Sequence, residues 1–235
     1  GFPMLYDDRE YWTKQRIQYD SWPLWKRIAI RPFTTIIPEW ERQMLSKYLT
    51  ITVSEGIAVE HRKICENVVV LRNLGLRSEF EGLDVNKNRS GTVYVGSDFE
   101  RDKFSRHRDM TGLVKSLDFD VLSGLPRRML YKKLTRYRIG LLPFRTTEYS
   151  KYINASKTFD YLNCGLQVLM TRNLYEAHGN LPYTHPFDNY EELKSLVSSI
   201  NTVDPEEIMQ YASENLVWET QSESLLGAYQ KVLSE

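Results

Sequence analysis

The sequence predicts an α/β protein with a doubly wound parallel sheet, and three observations support this class. Short runs rich in β-branched residues recur along the chain and are nearly continuous in apolar character, as in strands buried on both faces. Amphipathic segments with helical periodicity lie between several of these runs. The alternation of strand and helix is typical of parallel sheets, whose ligands bind beyond the carboxyl ends of the strands.

The strands and helices of this sheet can be assigned in order. Runs of β-branched or apolar residues predict strands at residues 50–54, 67–71, 92–95, 118–122, 139–142 and 167–171. Apolar residues spaced for one helical face predict helices at residues 99–117, 129–137, 189–200 and 204–215. The last of these helices begins with Asp204 as the N-cap and Pro205 as the first helical residue. Residues 77–90 lack periodicity and are predicted as a loop.

The first 48 residues differ in composition from the rest of the chain, because they hold four of the five tryptophans. We interpret this part as an irregular region that packs on a core. The alternative is an interface segment, because Trp and Tyr with interspersed Arg suit a membrane surface or a protein partner.

Charge and cysteine content restrict the function further. The 235-residue chain carries 31 Lys and Arg against 31 Asp and Glu, so it has no general attraction to nucleic acid, and we expect no such partner. Cys65 and Cys164 form neither a zinc pattern nor a disulfide framework, and the 4 histidines lack metal-ligand spacing. We therefore predict that the protein binds no metal and no cofactor. We also predict a reducing, cytoplasmic location, with the membrane surface as an alternative location.

The segment of residues 154–171, NASKTFDYLNCGLQVLMT, is the most informative for chemistry. It predicts a helix from Lys157 to about Cys164, with Ser156 as N-cap and Gly165 just beyond its end. A lysine in the first turn is disfavoured by the helix dipole, but a bound anion would reverse this effect. Asp160, one turn later, can accept hydrogen bonds from a sugar diol. A ligand with both a phosphate and a sugar diol would be a nucleotide. The alternative is a solvated Lys and Asp on a sheet-packing helix.

This segment resembles the S/P-x-K-x-x-E-Y-x-x-x-G-x-P-V-x-x-T/S motif of group 1 glycosyltransferases (family 4-like) with the GT-B fold. Other parts are similar to the same family in the same order: residues 3–12, 51–58, 68–75, 92–96, 139–144 and 217–233. The resemblance implies a Rossmann-like carboxyl-terminal domain that binds a nucleotide-sugar donor, together with a remnant of the amino-terminal domain.

The resemblance also implies roles for individual residues. Asp160 aligns with the second Glu of the family's E-x7-E motif, which holds the ribose, and Lys157 aligns with a basic residue near the diphosphate. The first Glu of that motif would fall at Tyr152, and Arg9 replaces the usual His of the family's Asp-x-His-Glu region. No catalytic residue is therefore assigned, and the implied donor-binding residues are Gly96, Arg101, Lys103, Asn154, Ser156, Lys157, Thr158 and Asp160.

The resemblance further implies a domain division and an activity. Residues 1–50 would be the acceptor-side remnant, 51–215 the donor domain and 216–235 a terminal helix that packs back toward the amino-terminal side. Family members have a full domain before this region, so we expect the chain to bind the donor without efficient transfer. The implied partners are a nucleotide-sugar, a glycan or lipid-linked acceptor and a peripheral membrane surface. The alternatives are a non-catalytic nucleotide-binding or protein-interaction module and a sugar-nucleotide epimerase of the same fold.

Overall fold

The structure, a computed structural model, describes residues 3–15, 23–85, 87–96, 117–144 and 146–234. Its strands are β1 Leu5–Asp8, β2 Leu49–Thr52, β3 Val68–Val70, β4 Thr92–Val95, β5 Asp120–Leu122, β6 Ile139–Leu142, β7 Gln167–Thr171 and β8 Thr184–Phe187. Its α-helices are α1 Trp12–Gln15, α2 Leu24–Lys47, α3 Glu55–His61, α4 Arg77–Phe80, α5 Arg127–Leu134, α6 Lys157–Asn163, α7 Arg172–Ala177, α8 Tyr190–Ser199, α9 Pro205–Asn215 and α10 Ser222–Ser234. Short 3₁₀ helices occupy Glu148–Tyr152 and Trp218–Gln221.

The chain divides into two compact units, each with its own parallel sheet. Unit 1 comprises Gly1–Asn73, Thr147–Asn154 and Gln221–Glu235, and unit 2 comprises Leu74–Thr146 and Ala155–Thr220. The sheet of unit 1 has the order β1-β2-β3, and the sheet of unit 2 has the order β5-β4-β6-β7-β8. All of the strand pairs are parallel, which confirms the predicted α/β class.

The two units do not follow the boundaries expected from the sequence. The strands β2 and β3 were expected in the donor domain, but they pair with β1 in unit 1 and not with β4. Residues 147–154 also belong to unit 1, where the Ser54 hydroxyl donates to the Tyr152 carbonyl at 3.1 Å. A Cβ at Gly56 would overlap the Lys151 carbonyl, so this close approach of two backbone segments needs a glycine.

The prediction of an irregular region over the first 48 residues is wrong, because most of the described part forms α2. This helix has 24 residues and contains Pro32 and Pro38 in its interior. Prolines and β-branched residues oppose helix formation locally, and they hide the helical pattern in the sequence. Leu45 and Glu41 face the protein interior, whereas Trp25, Phe33 and Ile36 are exposed. Trp40 is partly exposed, and its ring packs edge-on against Tyr6 of β1.

Most predicted strands of unit 2 are present where the sequence placed them. The predictions for β4, β6 and β7 match in full, and β5 is two residues shorter than predicted. Their side chains form a dry core that includes Tyr94, Ile139, Leu141, Leu169 and Phe187. The order β5-β4-β6 places a topological switch between β4 and β6, where ligands of such sheets bind.

The predicted helices agree in part. Helix α8 begins after Asn189, whose side chain accepts from the Glu192 amide, and α9 begins after Asp204, which accepts from the Glu206 amide. The predicted loop at residues 77–90 contains α4. The predicted helix at residues 99–117 lies outside the described residues, apart from Leu117. In the ranges that the structure describes, no helix has both the length and the apolar character needed to cross a membrane.

Candidate functional site

Tyr161 occupies the switch point of the sheet in unit 2. The ladder between β4 and β6 contains only the pairs Thr92↔Ile139 and Val93↔Gly140. Nearer the carboxyl ends, the Tyr161 hydroxyl accepts from the Val95 amide at 2.8 Å and donates to the Leu141 carbonyl at 3.4 Å. This buried phenol from α6 therefore bridges the two strands and fixes the helix at the carboxyl edge of the sheet.

The start of α6 differs from its predicted form. Ser156 is already helical, with φ −51° and ψ −28°, and its side chain makes no capping hydrogen bond. The amides of Thr158, Phe159 and Asp160 donate to the carbonyls of Ala155 and Ser156. Ser156 therefore occupies the predicted N-cap position, but the capping hydrogen bond expected from its side chain is not formed, and these three amides are bonded within the first turn.

Asp160 is held by a relay of side chains from α5 and α4. The Tyr131 hydroxyl donates to Asp160 Oδ1 at 3.0 Å, and Arg127 Nε donates to the same hydroxyl at 3.0 Å. Arg127 Nη1 also lies 3.0 Å from Glu79 Oε1. Because Tyr131 is fully buried and its ring packs on Phe80, this relay fixes the orientation of the carboxylate.

The electrostatic setting of Asp160 is that of a partly desolvated carboxylate. Burial raises the pKa of Asp160, and the Tyr131 hydrogen bond and the charges of Arg127 and Lys157 oppose that rise in its pKa. The side chain keeps 19% of its surface exposed. A carboxylate has about four lone-pair positions, so Asp160 can accept further hydrogen bonds through this opening.

The other predicted site residues differ in their surroundings. Lys157 is half-buried on α6, within electrostatic range of Asp160. Thr158 is fully buried and its hydroxyl has no hydrogen-bond partner among the described residues, so its contact with the donor stays a prediction. Asn154 lies in unit 1, where its side-chain amide donates to the Val53 carbonyl at 2.8 Å. Arg101 and Lys103 lie outside the described residues.

Gly96 has a packing role that the sequence did not predict. A Cβ at this position would overlap the Tyr94 ring, and the Gly96 amide donates to the Leu122 carbonyl at 3.1 Å. Packing against Tyr94 is therefore sufficient to explain why this position is a glycine, without any bound ligand. A contact between its loop and donor phosphates stays a prediction.

Sequence reasoning missed Tyr131, Arg127, Glu79 and Tyr161. The sequence predicts a helix at residues 129–137 from its apolar spacing, which assigns no role to its polar residues. In the structure Tyr131 and Leu134 are the fully buried residues of α5. The i, i+4 spacing of Arg127 and Tyr131 is the available signal, because it places both on one face of a helix.

Comparisons with known proteins support the fold. No protein-family model and no curated protein matches the chain. Among solved structures, a sucrose-phosphate synthase from Thermosynechococcus elongatus is similar with a TM-score of 0.66 and 12% identity, over 100% of this chain and 69% of that one. A glycosyltransferase from Rickettsia africae ESF-5 is similar with a TM-score of 0.52 and 16% identity, over 81% of this chain and 65% of that one.

These similarities concern structure and not sequence, since both identities are far below the level that indicates a shared family. The chain spans about two thirds of the length of either protein. Two parallel sheets flanked by helices agree with the fold that the sequence resemblance implied. The chain therefore has the fold of the GT-B glycosyltransferases.

Proposed function

We propose that this chain is a glycosyltransferase, or its donor-binding part, which transfers a sugar from a nucleotide-sugar to a glycan or lipid-linked acceptor. The observation that carries the proposal is the orientation of Asp160. Its partly exposed carboxylate is fixed by Tyr131 beside Tyr161, the residue that bridges β4 and β6 at the switch point. Ligands of doubly wound sheets bind at this place.

In the proposed complex Asp160 accepts hydrogen bonds from the ribose hydroxyls. A desolvated carboxylate gains most from such donors, because burial has already removed part of its hydration. Tyr131 and Arg127 act as positioning residues, since they hold the carboxylate and do not themselves need to touch the nucleotide. The donor diphosphate would lie near Lys157, whose ammonium can pair with phosphate oxygens.

Transfer then follows the ordinary chemistry of a nucleotide-sugar. The acceptor oxygen forms a bond with the anomeric carbon, and the bond from that carbon to the diphosphate oxygen breaks. The nucleoside diphosphate leaves with the electron pair, so negative charge develops on its terminal phosphate. Lys157 would stabilise this developing charge, and the acceptor proton passes to a base that we do not assign.

Calorimetry with a panel of nucleoside diphosphates and nucleotide-sugars tests the donor site. Asp160→Asn should weaken binding of the tightest ligand by ~1–3 kcal/mol, the range for a lost hydrogen bond to a charged group, and should affect its 2′,3′-dideoxy analogue much less. Asp120→Asn is a matched control, because Asp120 also accepts from a tyrosine hydroxyl, that of Tyr137 at 2.7 Å. Equal losses for both ligands, or no loss, would refute the ribose assignment.

Lys157→Ala tests the diphosphate assignment separately. Loss of the ammonium should weaken diphosphate binding by ~1–3 kcal/mol and leave binding of the nucleoside alone unchanged. Lys133→Ala on α5 controls for removal of an exposed positive charge from unit 2. Unchanged diphosphate affinity would reject the placement. Nucleotide binding without sugar transfer by any longer form of the protein would favour a non-catalytic module.

The exposed face of α2 supports a membrane-bound acceptor. Trp25, Phe33, Ile36 and Trp40 are each at least 45% exposed, and the first third of the helix contains the basic residues Lys26, Arg27 and Arg31. Aromatic side chains with nearby cations are typical of helices that lie on anionic lipid surfaces. We therefore include a peripheral membrane contact through this face in the proposal.

Vesicle sedimentation tests the membrane contact. The chain should bind vesicles that contain phosphatidylglycerol more strongly than vesicles of phosphatidylcholine alone, and Trp25→Ser with Phe33→Ser should abolish the difference. Val59→Ser, which removes an exposed apolar side chain from α3, is the control. Equal binding to both vesicle types would contradict the contact.

A further inference from the structure

Three buried ionisable side chains meet in unit 1. Asp8 is the last residue of β1, Glu41 lies in the final half of α2, and His61 is the last residue of α3. Each has at most 2% of its surface exposed. One potential ligand atom from each residue lies within 4.8 Å of the other two.

The protein only partly satisfies the polar atoms of this cluster. His61 Nε2 lies 2.6 Å from Asp8 Oδ2, and the Thr13 hydroxyl donates to Glu41 Oε2. Asp8 Oδ1, Glu41 Oε1 and His61 Nδ1 are buried and have no hydrogen-bond partner in the described part of the chain. Native proteins rarely leave such atoms unpaired, because each has lost its hydration without compensation.

A fourth residue, on a different strand, adds an independent observation. Asp8 and Thr52 are directly paired in the parallel ladder of β1 and β2, so their side chains lie side by side on one face of the sheet. Thr52 is fully buried, and its hydroxyl also has no partner among the described residues. The Thr52 side chain, with its unsatisfied hydroxyl, therefore neighbours the side chain of Asp8.

The charges of the cluster call for a cation. Two carboxylates in a dry interior are costly unless a positive charge compensates them. The Tyr11 ring packs edge-on to His61 at a centroid distance of 5.3 Å, and Leu45 closes the neighbouring interior. A divalent cation would neutralise both carboxylates, and the imidazole would add a ligand nitrogen.

We propose that Asp8, Glu41 and His61 bind a divalent transition-metal ion, with Zn²⁺ as the best match. Zn²⁺ takes carboxylate and imidazole ligands at about 2.0–2.2 Å, which places the ligand atoms of a tetrahedral site about 3.3 Å apart. Small side-chain rotations convert the present cluster to that spacing. The Thr52 side chain, paired with Asp8 across the ladder, would offer its hydroxyl to the ion or to one of the carboxylates.

The ion would have a structural role. Its ligands come from β1, α2 and α3, so one ion would join three elements of unit 1 that are distant in sequence. The site is fully buried and offers no room for a substrate, unlike catalytic zinc sites, which keep an open position. A sequence motif of closely spaced ligands cannot reveal this site, because each ligand lies in a different strand or helix. The proposal is independent of the donor site in unit 2.

Metal analysis of the purified chain tests the proposal. The wild type, grown with added Zn²⁺ and purified without a metal-affinity tag, should hold about one metal ion per chain. EDTA should lower its melting temperature, and Zn²⁺ should restore it. Glu41→Gln should lose both the metal and the response to EDTA. Glu39→Gln, on the same helix with a half-exposed carboxylate, is the matched control and should behave as the wild type.

A second measurement covers the case in which Glu41→Gln does not fold. Co²⁺ added to the EDTA-treated wild type should give the intense visible absorption of a tetrahedral site, and Zn²⁺ should bleach it. Absence of bound metal together with no saturable Co²⁺ or Zn²⁺ binding would overturn the proposal and leave a proton-sharing network in its place. Equal metal binding by Glu41→Gln and wild type would also overturn it.

Discussion

The Tyr131 hydroxyl makes two hydrogen bonds with different consequences. It accepts a hydrogen bond from Arg127, so its own proton is directed at the Asp160 carboxylate. Burial and the negative charge of Asp160 raise the pKa of Tyr131, which keeps the phenol protonated as a donor. The sequence predicts a ribose contact for Asp160 because it aligns with a known motif, and that role stays a prediction. The side chains that support its carboxylate could not be predicted, because Tyr131 contacts Asp160, and Glu79 contacts Arg127, only after three helices pack together.

Tyr131→Phe should therefore weaken nucleotide binding while it preserves the packing of the ring on Phe80. Loss of one buried hydrogen bond should lower the free energy of unfolding by about 0.5–1.5 kcal/mol. Tyr137→Phe removes a hydroxyl bonded to the exposed Asp120 and should change stability by less than about 0.5 kcal/mol. Denaturant unfolding and calorimetry measure both effects, and equal nucleotide affinity in the two variants would contradict a positioning role.

Asp160 should also reduce the stability of the ligand-free protein at neutral pH. The pKa of Asp160 is raised in the folded state, whereas the unfolded value is about 3.9. Its destabilising effect is therefore absent below about pH 3.9, grows as the pH rises through the folded pKa and is constant above it. Asp160→Asn should raise the melting temperature relative to the wild type by an amount that increases over this pH range.

Melting curves recorded across that pH range check the prediction. Asp120→Asn serves as the control for removing a tyrosine-bonded carboxylate elsewhere in unit 2. A difference between Asp160→Asn and wild type that does not change with pH would show that the carboxylate is not destabilising.

At the scale of elements, the strands and helices predicted correctly are those whose local sequence pattern matches their burial in the folded protein. Strands β4, β6 and β7 are apolar runs bounded by polar or turn-forming residues, and they are buried as expected. Strand β8, with the sequence THPF, was missed because Pro186 and His185 are unusual in strands. Helix α2 was missed because its two prolines oppose the helical pattern, which tertiary packing overrides.

The fit of α6 against β6 depends on a single glycine. A Cβ at Gly140 would lie 2.5 Å from the Tyr161 ring, in the packed interior of unit 2. Gly140→Ala should therefore lower the free energy of unfolding by about 1–3 kcal/mol, as other overpacked cores do. It should also weaken nucleotide binding, because Tyr161 holds α6 at the switch point.

Gly227→Ala is the matched control for that substitution. Gly227 lies within α10, and a Cβ there would meet no atom within 4 Å. Alanine in a helix interior is favoured over glycine by about 0.5–1 kcal/mol, so this variant should be stabilised. Chemical denaturation measures the change in the free energy of unfolding for each variant. Stabilisation by Gly140→Ala would disprove the packing argument.

At the scale of the whole molecule, the two proposed sites lie in different units. The nucleotide would bind to unit 2 and the metal ion to unit 1. Hydrogen exchange should therefore distinguish the two sites, because a ligand slows exchange most strongly in the elements that it contacts. A nucleoside diphosphate should slow exchange in α5 and α6, whereas EDTA should accelerate exchange in α3 and the second half of α2. If the nucleotide protects α3 as strongly as α6, the assignment of the donor site to unit 2 is wrong.

The division into units has a consequence for synthesis of the chain on the ribosome. The chain passes from one unit to the other after Asn73, Thr146, Asn154 and Thr220, so neither unit is a continuous segment. Unit 2 is complete once Thr220 has left the exit tunnel. Unit 1 begins first but needs residues 221–235, including α10, whose Lys231 ammonium donates to the Asn67 side chain at 2.6 Å. The half that is translated first is therefore the last to finish folding, and stalled nascent chains that end before α10 should expose β3 to proteolysis.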